Sequence, residues 1–141
     1  MKLLPLSILL MTVLTGCMSS LAEVRRAPVD RSQDFIANTA DLSYCVHQAI
    51  QGLDTGFTFL LSGSPDQREF FITATRMENI LTMNQGVGME LHFLTHGQVT
   101  TVELRKGAIA GWRLDRETWP LIEPCSRQLL FRLATDADKS R

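Results

Sequence analysis

The sequence predicts an α+β fold in the order helix, four-stranded antiparallel meander, C-terminal helix, with both helices on one sheet face and joined by a Cys45–Cys125 disulfide. Three observations lead to it. Apolar residues recur at three-and-four spacing near positions 35–53 and again near 123–133, which marks helices with one buried stripe. Between them the period changes to two, as it does in strands that bury one face. The third observation is the cysteine count: of three cysteines, Cys17 ends an apolar leader, leaving Cys45 and Cys125 as a pair.

In the first helix Phe35, Leu42, Cys45, Val46, Ala49 and Leu53 share one face. Asp30 with Gln33 offers one start, Asn38 or Thr39 a later one, and Gly52 a stop. Phe57, Phe59 and Leu61 then alternate with more polar residues, and after residues 63–66 the pattern resumes at Phe70, Ile72 and Ala74. A hairpin folded on that loop sets Phe59 opposite Phe70 and Phe57 opposite Ile72. A second hairpin, turning at His96-Gly97, pairs Met89 with Leu104, Leu91 with Val102 and Phe93 with Thr100. Its one defect is Glu90 opposite Glu103, since facing like charges disfavour pairing. Residues 77–86 fit neither period and are read as a bent strand end or wide loop, with the methionines filling a core gap.

Residues 108–112 form a short segment bounded by glycines. Asp115 opens a capping turn to Trp119, with Leu114 stapled against Trp119, and Pro120 bars its continuation as a helix. Pro124 suits the first turn of a last helix from about Glu123 to Leu133, in which Cys125, Leu129 and Leu133 share a face. Residues 32–134 are thus expected to form one domain, preceded by a tether (17–31) and followed by a charged, disordered tail (135–141).

The leader sets the compartment. Lys2, an apolar run over residues 3–14 and small residues before Cys17 have the layout of a cleaved secretory signal (1–16), with a core too short to span a bilayer. Leu14-Thr15-Gly16-Cys17 resembles the lipobox of bacterial lipoproteins. That resemblance implies diacylation of the Cys17 thiol, cleavage after Gly16 and acylation of the new amino terminus. Met18, which is not Asp, implies by the enterobacterial sorting rule a periplasmic outer-membrane location. In that oxidising compartment an even pair of cysteines is most simply a disulfide, closing a loop of about 80 residues. The tether would reach about 40 Å when extended. Of 14 basic residues Lys2 leaves with the signal, so 13 face 15 acidic ones and the mature net charge is about −2. Nothing in that balance suggests a nucleic-acid partner.

Catalysis finds no support. The sequence holds no Gly-x-Ser-x-Gly elbow, His-Glu-x-x-His pair, phosphate-cradling glycine loop or Cys-x-x-Cys. No cofactor is implied and no metal site is expected. Glu90, His92 and Glu103, brought together on the hairpin face away from the core, are the weak metal candidates, and an ordinary solvated face is preferred for them. The same face carries Leu60, Phe71, Leu94, Val99 and Thr101, and with helices on only one side of the sheet it offers a candidate partner-binding surface. Trp112, Arg113, Arg116 and Trp119 are a second candidate patch, although core packing of both tryptophans is preferred. The expected function is therefore a lipid-anchored, non-enzymatic protein-binding or assembly module of the envelope; the alternative is a small-molecule or metal binder. The domain looks like several small bacterial lipoprotein domains, a likeness of architecture that transfers no function.

Overall fold

The computed structural model describes residues 18–64, 66, 68–79 and 84–139. The leader, Cys17 and residues 80–83, part of the stretch read as a bent strand end or wide loop, lie outside the described residues. Helix α1 (Leu21–Arg26) is followed by strand β1 (Arg31–Ile36), helix α2 (Thr39–Ile50), strands β2 (Thr58–Ser64), β3 (Glu69–Asn79), β4 (Asn84–His96) and β5 (Val99–Lys106), helix α3 (Gly111–Thr118), a 3-10 turn (Trp119–Leu121) and helix α4 (Ile122–Lys139). The fold is α+β. Its antiparallel sheet has five strands rather than four, in the order β1-β5-β4-β3-β2.

The additional strand takes the place of the expected start of the first helix and meets the expected tether only at Arg31. Residues 31–36 pair with β5, Arg31 opposite Leu104 and Phe35 opposite Thr100. Without them β5 would present an unpaired row of backbone groups. Phe35 lies seven residues before Leu42, so it matches a helical stripe, yet it reaches the same core from a strand. The helix begins later, where the Asn38 side chain accepts hydrogen bonds from the amides of Ala40 (2.9 Å) and Asp41 (3.2 Å).

Both hairpins keep the expected faces but not the expected partners. In the second, His96 pairs with Val99, so the turn is Gly97-Gln98; Met89 faces Lys106, Leu91 faces Leu104 and Phe93 faces Val102. Gly97 takes φ +65° as the first turn residue. Every pair moves by two positions, and the Glu90/Glu103 clash is gone: Glu90 faces Arg105 and His92 faces Glu103. In the first hairpin Phe59 faces Ala74 and Leu61 faces Ile72. Here β2 runs on through Gly63, at φ +136°, where a Cβ would stand 2.4 Å from the Glu69 carbonyl oxygen. Only glycine lets the strand continue past the expected turn. Met77 is paired with Gln85 and half-exposed, so it fills no core gap.

The core lies between one sheet face and the helices. Leu42, Val46 and Ile50 from α2 meet Ile72, Met89, Leu91, Phe93, Val102 and Leu104 from the sheet, closed by Leu114 of α3 and Ile122 of α4. Cys45 and Cys125 are bonded, with Cα atoms 5.8 Å apart, and join α2 to α4. A buried threonine cluster was not expected. Thr39 Oγ1 lies 2.6 Å from Thr95 Oγ1 and 2.8 Å from Thr100 Oγ1, and Thr100 donates to the Ala37 carbonyl at 2.8 Å. It fixes the start of α2 to the second hairpin.

Three further expectations change. Asp115 lies within α3, not at a capping turn, and is buried beside Arg31 and Lys106. Trp119 packs partly against the core, whereas Trp112 is 64% exposed. The last helix runs on to Lys139, so residues 135–139 are exposed helical turns rather than a disordered tail.

Candidate functional site

The sheet face opposite the core was expected to be open. Instead α1 lies across part of it. The helix starts with a reciprocal cap: Ser20 Oγ accepts from the Glu23 amide at 3.3 Å, and the Ser20 amide donates to Glu23 Oε2 at 2.6 Å. That backbone hydrogen bond, then the Ser20 hydroxyl, hold the Glu23 carboxyl below the usual carboxylate range. Val24 is buried, and Ser19 extends the packing, its carbonyl accepting from the Val87 amide at 2.8 Å.

Arg25 carries the chemistry of this contact. Its Nε lies 3.0 Å from Glu90 Oε1 and its Nη2 2.9 Å from Glu90 Oε2, a two-pronged pair that holds the guanidinium in its charged form. Thr73 donates to Glu90 Oε2 at 3.1 Å. Glu90 itself is 1% exposed. A carboxylate this deep in a sheet requires a cation, and α1 supplies one. The guanidinium also lies 4.7 Å from the centre of the Phe71 ring, which stacks on His92 with centroids 4.3 Å apart.

The candidate acidic and imidazole residues therefore divide between two networks. Glu90 belongs to Arg25 and Thr73. His92 lies between Glu69, 3.5 Å from Nε2, and Glu103, 3.8 Å from Nδ1, while Glu103 pairs with Arg105 at 2.9 Å. Among the described residues no three His, Cys, Asp or Glu side chains meet in a group that would hold a metal ion. Of the candidate partner-binding residues, Phe71 is taken up by Arg25 and His92, Thr101 donates to Asp34 Oδ1 at 2.6 Å, Leu94 and Val99 are partly buried, and Leu60 stays half-exposed beside α1.

Arg25 was missed because residues 17–31 show no apolar period. A signal existed nonetheless: Ser20-x-x-Glu23 is the capping-box pattern, and Glu90, in the middle of an apolar alternation, calls for a partner. Arg25→Ala is expected to destabilise by about 2 kcal/mol, below the figure for a fully buried pair because Arg25 is half-exposed and water can reach the vacated side. Adding Glu90→Gln should recover most of the loss. Denaturant midpoints of the three proteins test this, and an unchanged midpoint for Arg25→Ala would show that the Arg25–Glu90 pair does not hold α1 on the sheet.

A second surface lies between α2 and α4. Tyr44, Ala49, Leu121, Pro124 and Leu129 line a groove of about 520 Å³, with Gln48, Gln128 and Arg132 as its polar groups and the disulfide in its wall. Beyond it α4 carries Leu130, Phe131 and Leu133, all exposed. Among the described residues no helix is long and apolar enough to cross a membrane. Comparison with family models, with curated proteins and with solved structures found no match for this chain.

Proposed function

We propose that the chain is a lipid-anchored protein of the bacterial envelope, held at the periplasmic face of the outer membrane, which docks another envelope protein and catalyses no reaction. The anchor rests on Leu14-Thr15-Gly16-Cys17 and on the leader before it. The disulfide between α2 and α4 fits an oxidising compartment.

One observation carries the docking proposal. The C-terminal half of α4 exposes Phe131 (74%), Leu133 (63%) and Leu130 (40%). At about 100° per residue Leu130 and Leu133 lie on one side, Leu133 continuing the groove-lining side of Leu129, and Phe131 points to another. A helix apolar on two sides is normally covered. The groove beside it, with half-exposed Tyr44 on its rim, adds a hydrophobic shelf of the kind that accepts an apolar helix face.

The test is photocrosslinking in intact cells, with the reactive group at Phe131, at Tyr44 or, as a buried control, at Leu42. A recurrent envelope protein captured from the first two positions and not from the third is the expected result. Self-adducts alone would replace the partner by a second copy of the chain. No specific adduct from either exposed position would overturn docking and favour a small ligand in the groove.

A further inference from the structure

The sequence alone suggests a domain held away from its anchor by about 13 flexible residues. The structure removes that freedom. Ser19 is fixed from two directions: its carbonyl accepts from the Val87 amide at 2.8 Å, and its hydroxyl accepts from the Ala108 amide at 2.9 Å. Ser20 then caps α1, whose Val24 and Arg25 are bound to the sheet. The chain is part of the fold from Ser19 onward. Between Ser19 and Cys17 stands only Met18, and two residue steps span at most about 7 Å.

We infer that the end of the domain around Ser19 and residues 107–112 lies directly on the lipid surface that holds the acylated Cys17, with Ile109 and Trp112 entering its interfacial layer. This rests on the proposed lipidation of Cys17. A 7 Å link leaves no room for the domain to stand clear of the head groups, so the surface beside Ser19 is the one that meets them. Its composition suits that place. Ala108, bonded to Ser19, is followed at once by Ile109, 42% exposed, and Trp112 opens the first turn of α3 with 64% of its surface free. An indole combines an apolar ring with a polar N–H, which favours the boundary between acyl chains and water. Exposed Arg116 lies one turn beyond Trp112 on the same side of α3, within reach of anionic phosphates. The loop is also firmly placed: the Gly107 amide donates to the Gly88 carbonyl at 2.8 Å.

The test uses the full lipidated protein, reconstituted in vesicles of phosphatidylethanolamine and phosphatidylglycerol, with and without bromine near the head-group end of the acyl chains. The chain has two tryptophans, so wild type and Trp112→Phe separate them. Brominated lipid is expected to quench the wild-type emission and to leave Trp112→Phe, which reports Trp119 alone, unchanged. Wild type that floats with the vesicles but is not quenched would overturn the docked orientation while leaving the anchor in place. Wild type that fails to float, with Cys17 unmodified by mass, would overturn both.

Discussion

Replacing Cys45 and Cys125 together by alanine is expected to cost about 4 kcal/mol of stability. The bond closes a loop across 80 positions, and releasing a loop of that length returns about this much conformational entropy to the unfolded chain. Two features of the folded state keep the loss near that figure. The bridge fixes α4 to α2, and beside it lies the groove lined by Tyr44 and Leu129, where the two helices leave open space instead of filled packing. Cys125 is also 5% exposed, and truncation there leaves a small void. Against a total of about 5 to 15 kcal/mol for a domain, the loss is large. Urea denaturation of the oxidised protein and the double variant measures it. Midpoints that imply a difference below about 1 kcal/mol would mean that the core, not the bridge, holds α4 in place.

How much of this fold is legible in the sequence depends on which symmetry a feature breaks. The period-two pattern separates the two sheet faces, and Leu91, Phe93, Val102 and Leu104 all lie on the expected side. An odd slip of register would have reversed them, whereas even slips preserve the pattern. Both hairpins are displaced by even numbers, and the residues that decide are single glycines, Gly97 as first turn residue and Gly63 inside β2. Those slips matter for the surface chemistry. The two-residue shift sets Glu90 against Arg105 and His92 against Glu103, which parts Glu90 from Glu103 and divides the expected three-residue cluster.

The remaining elements owe their form to tertiary contacts. Strand β1 has one strongly apolar residue on its core face, Phe35, and forms because β5 would otherwise present an open edge. Helix α1 is six residues long, too short to persist alone, and depends on burial of Val24 and on the Arg25–Glu90 pair. Helix α1 lies in the stretch read as a tether and β1 mostly where the first helix was expected to start, because a weak local pattern does not show that a distant buried carboxylate needs a cation or that a sheet edge needs a strand. The same contacts shorten the link to Cys17, and with it the distance between the domain and the lipid proposed to be attached there.

Phe93→Ala and Phe131→Ala are expected to differ by about 3 kcal/mol or more in their cost to stability. Phe93 has no solvent exposure; it pairs across β3 with Phe70 and across β5 with Val102, beneath the helices. Truncation there removes an aromatic ring from the centre of the core and leaves a cavity that flanking strands cannot close, at about 3 to 5 kcal/mol. Phe131 is 74% exposed on the outer half of α4, so its loss should change stability by less than about 0.5 kcal/mol. The consequence for function runs the other way. If α4 docks a partner, Phe131→Ala should weaken capture while the fold stays intact, because buried aromatics dominate interface energetics. Thermal or urea midpoints for both variants, with crosslinking yield for Phe131→Ala, decide the matter. A costly Phe131→Ala in the isolated protein would show that the end of α4 is already packed within the chain, and the docking proposal would lose its surface.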